Sequence, residues 1–361
     1  GFNNLNPRLL PLCAEAIRDY IAGIKPGCER VLILPESHTR NPYYLHSLSI
    51  LKACLQDAGF AVRIGSLDAD FTHPHTLQTE EGVGILIEPI LRKNNRIHVE
   101  GFDPCVLLLN HDLSTGIPKV LVGLEQPIYP TSQLGWSNRL KSSHFDFYDG
   151  VTQEFSAHIG LDAWFINPLS EGIDGVDFMQ QTGLDELAAT VDNVLERVQT
   201  RFNQYGISES PFAIVKADNG TYGMSVMSVH KGSQLLELNR KQRTRMSARK
   251  GSQKVTQVLV QEGIYSVERI NSHAVSEPVI YLIGPFVVGG FYRVHHERAQ
   301  HESLNTPGMY FEPFSLKTPE FEDYDEARAL IPDNRFYIYG VIARLATLAA
   351  AREMAASGGN R

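Results

Sequence analysis

The sequence is short of cysteine, has no surplus of positive charge and contains no long apolar run. Each absence removes a class of protein. Cys13, Cys28, Cys54 and Cys105 are the only 4 cysteines in 361 residues. None forms a CxxC pair or joins a short Cys/His cluster, so the spacing indicates neither a zinc site nor a disulfide framework. A reducing, cytoplasmic setting is the expectation. Lys and Arg number 33 against 41 Asp and Glu, a formal net charge of −8. That balance argues against a nucleic-acid binder or a protein held on an anionic membrane, both of which need surplus cations. No run of about 18 apolar residues occurs, so no membrane-spanning helix is expected. The first residues lack the basic-then-apolar order of a signal peptide, and Gly1 reads as a cloning remnant.

What remains is the composition of a globular protein, 43% hydrophobic and 20% charged. Its length allows two or three domains. Residues 8–24 and 43–57 carry apolar side chains at helical spacing. Arg30 to Leu34 and Phe60 to Ile64 are apolar runs of strand length, the second following Gly59. This is a strand–helix–strand unit suited to parallel pairing. Val106 to Leu109 predicts a further buried strand, so the first 115 or so residues read as an α/β layer. Ligands in open α/β sheets sit beyond the carboxyl ends of the strands. Two polar loops lie at such ends: Glu36, His38 and Arg40 after the first strand, and Asn110 to Gly116 after Leu109. They point to one shared rim, although solvated loops have the same composition. Residues 127–147 read as a further loop. It collects Arg139, Lys141 and His144 with Trp136, Asn138, Ser142 and Ser143, a set of cations and neutral donors suited to carboxylates.

The second half is organised around Phe212 to Val226, FAIVKADNGTYGMSV. Phe212 to Val215 is built like a buried strand and ends in Lys216. Gly220 and Gly223 then allow backbone N–H groups close to an anion, and the lysine adds a point charge; the pattern suits a polyphosphate. A plain β-hairpin with an exposed lysine would look the same. A helix is expected over residues 184–203, a basic helical face or flap over 240–254, and a strand at Val258 to Val260 leading into Gln261, Glu262, Gly263 and Ile264. Two more strands, Val279 to Ile283 and Phe286 to Val294, are joined by Gly284-Pro285, with Gly289-Gly290 marking a bulge or a close ligand approach. His295, His296 and His301 fit no zinc template. Residues 336–354 predict a strong helix rich in Ala and Leu.

The order of strand lysine, glycine loop, QEGI strand and later arginine resembles an ATP-grasp nucleotide-binding module. The stretches ILPESHTRNPYYL, LGWSNRLKSSHF, FAIVKADNGTYGMSV, VQEGI, GGFYRVH and ESLNTPGMYFEPF resemble the proteobacterial glutamate–cysteine ligases, from about residue 31 to residue 350. The resemblance implies an α/β chain, α+β in its second half. Residues 1–150 would form a substrate-side, pre-ATP-grasp-like domain. Residues 151–361 would form an ATP-grasp-like domain of antiparallel sheets and helices, with a lid subdomain around 207–262. It implies ATP and Mg2+ as cofactors, glutamate and cysteine as substrates, and γ-glutamylcysteine, the first product of glutathione biosynthesis, formed through an acyl phosphate. Lys216 and Arg293 would stabilise the phosphates. Gly220, Thr221, Tyr222, Gly223, Met224 and Ser225 would cover the nucleotide, and Gln261, Glu262, Gly263 and Ile264 would line it. Arg40, Asn138, Arg139, Lys141 and His144 would hold amino-acid carboxylates. Many ATP-grasp enzymes bind metal through a Glu-x-Asn strand after the last long helix. Glu302 and Asn305, placed before that helix, are the nearest substitutes here. No nucleic-acid or membrane partner is expected, and association into a homo-oligomer stays open. Another ATP-grasp ligase, glutathione synthetase-like, or a non-catalytic ATP-binding regulator would share the Lys216 stretch.

Overall fold

The computed structural model describes residues 9–36, 41–137, 139–219, 225–247, 255–270, 273–313 and 335–358. The first part of the chain runs α1 (Leu10–Ile24), β1 (Arg30–Pro35), α2 (Pro42–Asp57), β2 (Ala61–Ser66), β3 (His75–Gln78), β4 (Gly84–Pro89), β5 (Leu91–Lys93), β6 (Arg96–His98), β7 (Val106–Asn110) and β8 (Ile128–Tyr129). These strands, apart from the small β5–β6 hairpin, form one sheet in the order β3-β4-β2-β1-β7-β8, parallel except at β3. The apolar runs of β1 and β7 are continuous because the sheet is covered on both faces. Val31, Ile33, Val62 and Ile64 pack beneath α1 and α2, on Ile17, Ile21, Leu48 and Leu55. Leu32, Leu34, Leu107 and Leu109 pack on the other face against Ile97, Val99 and Phe102. Helix α2 starts where Asn41 Oδ1 accepts hydrogen bonds from the N–H groups of Tyr43 and Tyr44, with Pro42 at the first helical position.

The second part runs α3 (Lys141–Ile159), β9 (Ser170–Asp174), α4 (Leu184–Tyr205), β10 (Ala213–Ala217), β11 (Val226–Val229), α5 (Arg240–Ser247), β12 (Gln257–Glu262), β13 (Glu268–Ile270), β14 (Ala274–Ile283), β15 (Phe286–His295), β16 (Tyr310–Pro313) and α6 (Arg335–Gly358). Two antiparallel sheets result, β11-β10-β12-β9 and β13-β14-β15-β16. Leu187, Val191, Val194, Val198 and Phe202, spaced to one face of α4, cover Ala213, Val215 and Ala217 of β10. The Gly289-Gly290 expectation of a bulge holds: the β14–β15 register shifts between Tyr281 and Leu282, opposite Gly289. Helix α6 packs along α3 through Leu345 and Ala349 on Tyr148 and Val151.

Two readings are corrected. Residues 127–147 are not one loop, because α3 already begins at Lys141. Its N-terminus is capped from another element: Asp218 accepts hydrogen bonds from Ser142 N at 2.8 Å and Ser142 Oγ at 2.6 Å. The cysteines also contain a bridge. Cys28 and Cys105, 77 residues apart and 5.7 Å apart at Cα, are joined as a disulfide just before β1 and β7. Parallel pairing of those strands aligns their starts, which no sequence spacing reveals.

Candidate active site

Strand alternation decides which side chains of β10 are available. Ala213, Val215 and Ala217 point into the α4 core, so Ile214 and Lys216 face the opposite way. Lys216 thereby lines a cavity of about 770 Å³. Its Nζ donates to Gln261 Oε1 at 2.5 Å and lies 5.7 Å from the Phe145 ring centroid. Gln261 sits opposite Ile214 on β12 and reaches Lys216 diagonally across the strand pair. Burial pushes the Lys216 ammonium down to about 8, assisted by the charge of Lys141 and opposed by Asp218. A site that holds a lysine this way gains from an anion beside it.

The cavity joins five parts of the chain, one of them Leu282 of β14. His111 and Asp112 come from the carboxyl end of β7; Trp136, Arg139, Lys141 and His144 from the approach to α3 and its first turn; Lys216 from β10; and Ala343, Ala346, Thr347 and Ala350 from one face of α6. Three of the cations expected to hold carboxylates, Arg139, Lys141 and His144, are thus brought together with Lys216. Lys141 Nζ donates to the carbonyls of Ala217 and Asp218 at 2.8 and 3.1 Å and sits 5.5 Å over the Trp136 ring. Arg139 is held by Glu353 of α6, with Nε to Oε1 at 2.9 Å and Nη2 to Oε2 at 2.5 Å. His144 Nδ1 lies 3.1 Å from Arg139 Nη2 and 3.5 Å from Glu353 Oε2. Burial, then Arg139, lower the His144 pKa, with Glu353 opposing them.

Glu36, the described member of the first polar cluster, shares a rim with the second loop. Glu36 Oε1 lies 3.5 Å from His111 Nδ1 and accepts a hydrogen bond from Asp112 N at 2.5 Å. Glu36, His111 and Asp112 offer potential ligand atoms all within 4.8 Å of one another, and no other such group of His, Cys, Asp or Glu occurs among the described residues. His38, Arg40, Asn138 and Gly220 to Met224 lie outside the described residues.

The remaining expected residues are placed elsewhere. Glu262 alternates away from Gln261, is buried, and accepts hydrogen bonds from Trp164 Nε1 and Leu169 N; burial raises its pKa. Gly263 N donates to Phe212 O at 2.8 Å, and Ile264 is exposed. Ser225 is buried with its Oγ donating to Arg245 O. Arg293 lies on β15, donates to Glu277 Oε1 at 2.5 Å across the β14–β15 pair, and does not line the Lys216 cavity. Glu302 pairs with Arg298 and lines a second cavity of about 570 Å³, together with Ile214, Val226, Ser228 and Arg245; Asn305 lines neither this cavity nor the one beside Lys216. Asp218 and Glu353 were not singled out in the sequence. Each is one carboxylate in an ordinary local context, and its partner is distant in the chain.

Comparison with known proteins decides the family. Residues 1–354 match the profile of the GshA family, glutamate-cysteine ligase. The chain belongs to the glutamate–cysteine ligase family. The ligase is also similar to a crystal structure at 1.90 Å from Methylobacillus flagellatus KT, provisionally named a gamma-glutamylcysteine synthetase. The match has 45% identity and a TM-score of 0.87, over 99% of this chain and 84% of that one. A second solved structure, the D-alanyl-alanine synthetase A of Vibrio cholerae O1 biovar eltor, matches with 12% identity and a TM-score of 0.40, over 88% of this chain and 81% of that one, which is too distant to show the fold. No curated protein matches the ligase significantly. None of its described helices is long and apolar enough to cross a membrane.

Proposed function

We propose that the ligase joins the side-chain carboxylate of glutamate to the amine of cysteine at the expense of ATP, in the cavity walled by Lys216, and that its product is γ-glutamylcysteine. The observation that carries this reading is the convergence of Lys216, Lys141, Arg139 and His144 on one cavity, with Asp112 on its rim. Such a lining suits a zwitterionic amino acid and the phosphates of a nucleotide together. Membership of the family and the name of the Methylobacillus relative support the choice of substrates.

The chemistry we infer is carboxylate activation. A glutamate carboxylate oxygen attacks the γ-phosphorus of ATP, and ADP leaves with the electron pair of the broken P–O bond. The cysteine nitrogen then attacks the acyl carbon of the acyl phosphate, loses a proton, and inorganic phosphate departs. Neither step needs a nucleophile from the protein, so the residues contribute positioning and charge. Lys216 meets the phosphate oxygens, released from Gln261. Gln261, on the same face of the sheet as Lys216, lies beside the nucleotide. Arg139 and Lys141 hold amino-acid carboxylates, and the small residues of α6 leave room for them.

Magnesium takes oxygen ligands, and Glu36 and Asp112 supply two carboxylates that converge at the cavity edge. They are the residues that would hold it, with His111 beside them, whereas Glu302 lies on the second cavity. Bound there, Mg2+ would supply neutralisation of phosphate charge.

The test is phosphate release measured across amino-acid pairs. Release with ATP, glutamate and cysteine, and none when D-alanine replaces them, is the expected result. Tight ATP binding without ADP formation under any pair would instead make the protein a non-catalytic nucleotide binder.

A further inference from the structure

Helix α6 presents the cavity with a stripe of small side chains. Ala343, Ala346, Thr347 and Ala350 follow helical spacing and all line it. Position 353 continues that stripe, and there a glutamate stands. Its side chain is only 5% exposed, and that of its partner Arg139 is 13% exposed. A carboxylate is costly to bury, and this one is matched by a side-on, two-bond contact to the Nε–Nη2 edge of Arg139. The guanidinium is a planar fork with five donors, so fixing one edge fixes the direction of the rest. Arg139 Nη1 makes no hydrogen bond among the described residues, and Arg139 lines the cavity. We infer that Glu353 is a positioning residue. It locks Arg139 so that the outer edge of the guanidinium meets the carboxylate of an amino-acid substrate. This rests on the reading of the cavity as the amino-acid site.

A purely structural role would be to clamp α6 onto α3. That task has other means. Arg352 makes two bonds to Glu154 on the exposed side of the same helix pair, at 2.7 and 2.6 Å. Leu345 and Ala349 pack on Tyr148 and Val151 beneath it. A clamp through Glu353 would duplicate these contacts, whereas orienting Arg139 is something none of them does.

The experiment compares Glu353→Gln, Arg352→Ala and wild type. The glutamine keeps the shape and removes the charge and one of the paired bonds. We expect Glu353→Gln to raise the KM of one amino-acid substrate by about tenfold or more, while the KM of ATP changes by less than about twofold, the pattern of a lost charge-assisted contact to one substrate. Arg352→Ala should shift thermal stability without that split. In an Arg139→Lys background the Glu353→Gln change should add little, because both act through one unit. Should Glu353→Gln fail to fold, Glu353→Asp, which cannot span both nitrogens, is read in the same way. Glutamate and cysteine binding to the ATP-free protein by calorimetry gives the same comparison without turnover. Absent turnover in wild type then counts against the ligase reading, and an unaltered amino-acid affinity in the variant counts against the inference. A variant that loses stability but keeps both amino-acid affinities would overturn it.

Discussion

Lys216 should couple ATP binding to pH. Its ammonium is held down at about 8 by burial, from an ordinary 10.5. A polyphosphate placed against it would restore the higher value, because a nearby opposite charge favours the protonated form. At pH values below 8 the free protein already carries the proton, and binding takes up none. Between 8 and 10.5 the free protein has lost it, and binding must recover it from solution. The protonated fraction falls from about 0.9 near pH 7 to about 0.03 near pH 9.5, so ATP affinity should weaken by about 30-fold over that interval. Calorimetry in two buffers of different ionisation enthalpy measures both the affinity and the proton count. Uptake should rise from near zero at about pH 7 towards one proton at about pH 9.5. The same shift has a stability sign. Between 8 and 10.5 the unfolded chain binds more protons than the native one, so stability of the ligand-free protein rises with pH there. Below 8 the buried charge costs about 3 kcal/mol. Lys216→Met should therefore be the more stable protein near pH 7, with the gain fading as pH rises through the window. An ATP affinity that stays flat across this range, with no proton uptake, would refute the placement of the phosphates beside Lys216.

Three further outcomes follow from the packing. Asp218→Ala removes both hydrogen bonds at the start of α3 and should cost about 1–3 kcal/mol in urea unfolding, with activity falling because Lys141 and His144 lie in that first turn. Gly263→Ala drives a methyl into the ring of buried Phe212 and should lower stability by about 1–3 kcal/mol, again read by urea unfolding. Cys28→Ser should lower stability by about 2–4 kcal/mol without reductant, since the bridge closes a loop of 77 residues, and reductant should erase the difference from wild type. Equal stability without reductant would mean that the two thiols are not joined.

The frame was legible where one element carried its own signal. The apolar runs in β1 and β7 announced strands, and α4 announced its stripe from Leu187 to Phe202. Strands β3, β5 and β9 did not, because few of their residues are buried: β5 is exposed throughout, and in β9 only Ile173 is buried. The lysine at the end of β10 could be read because alternation alone turns it away from the core. The same alternation parts Glu262, whose side chain points to Trp164, from Gln261, which points to Lys216. The start of α3 was hidden for a different reason. Leu140 gives no capping side chain, and the cap comes from Asp218, far along the chain. Glu353 and the Cys28–Cys105 bridge share that character: each is defined by a partner that only the folded chain brings near.

The most direct measurement is the ATP dissociation constant of Lys216→Ala beside that of wild type, with near-UV circular dichroism confirming that the variant is folded. Loss of one buried charge-assisted contact should weaken binding by about tenfold to a hundredfold near pH 7. An unchanged constant in a folded variant would contradict the claim that this ammonium meets the nucleotide.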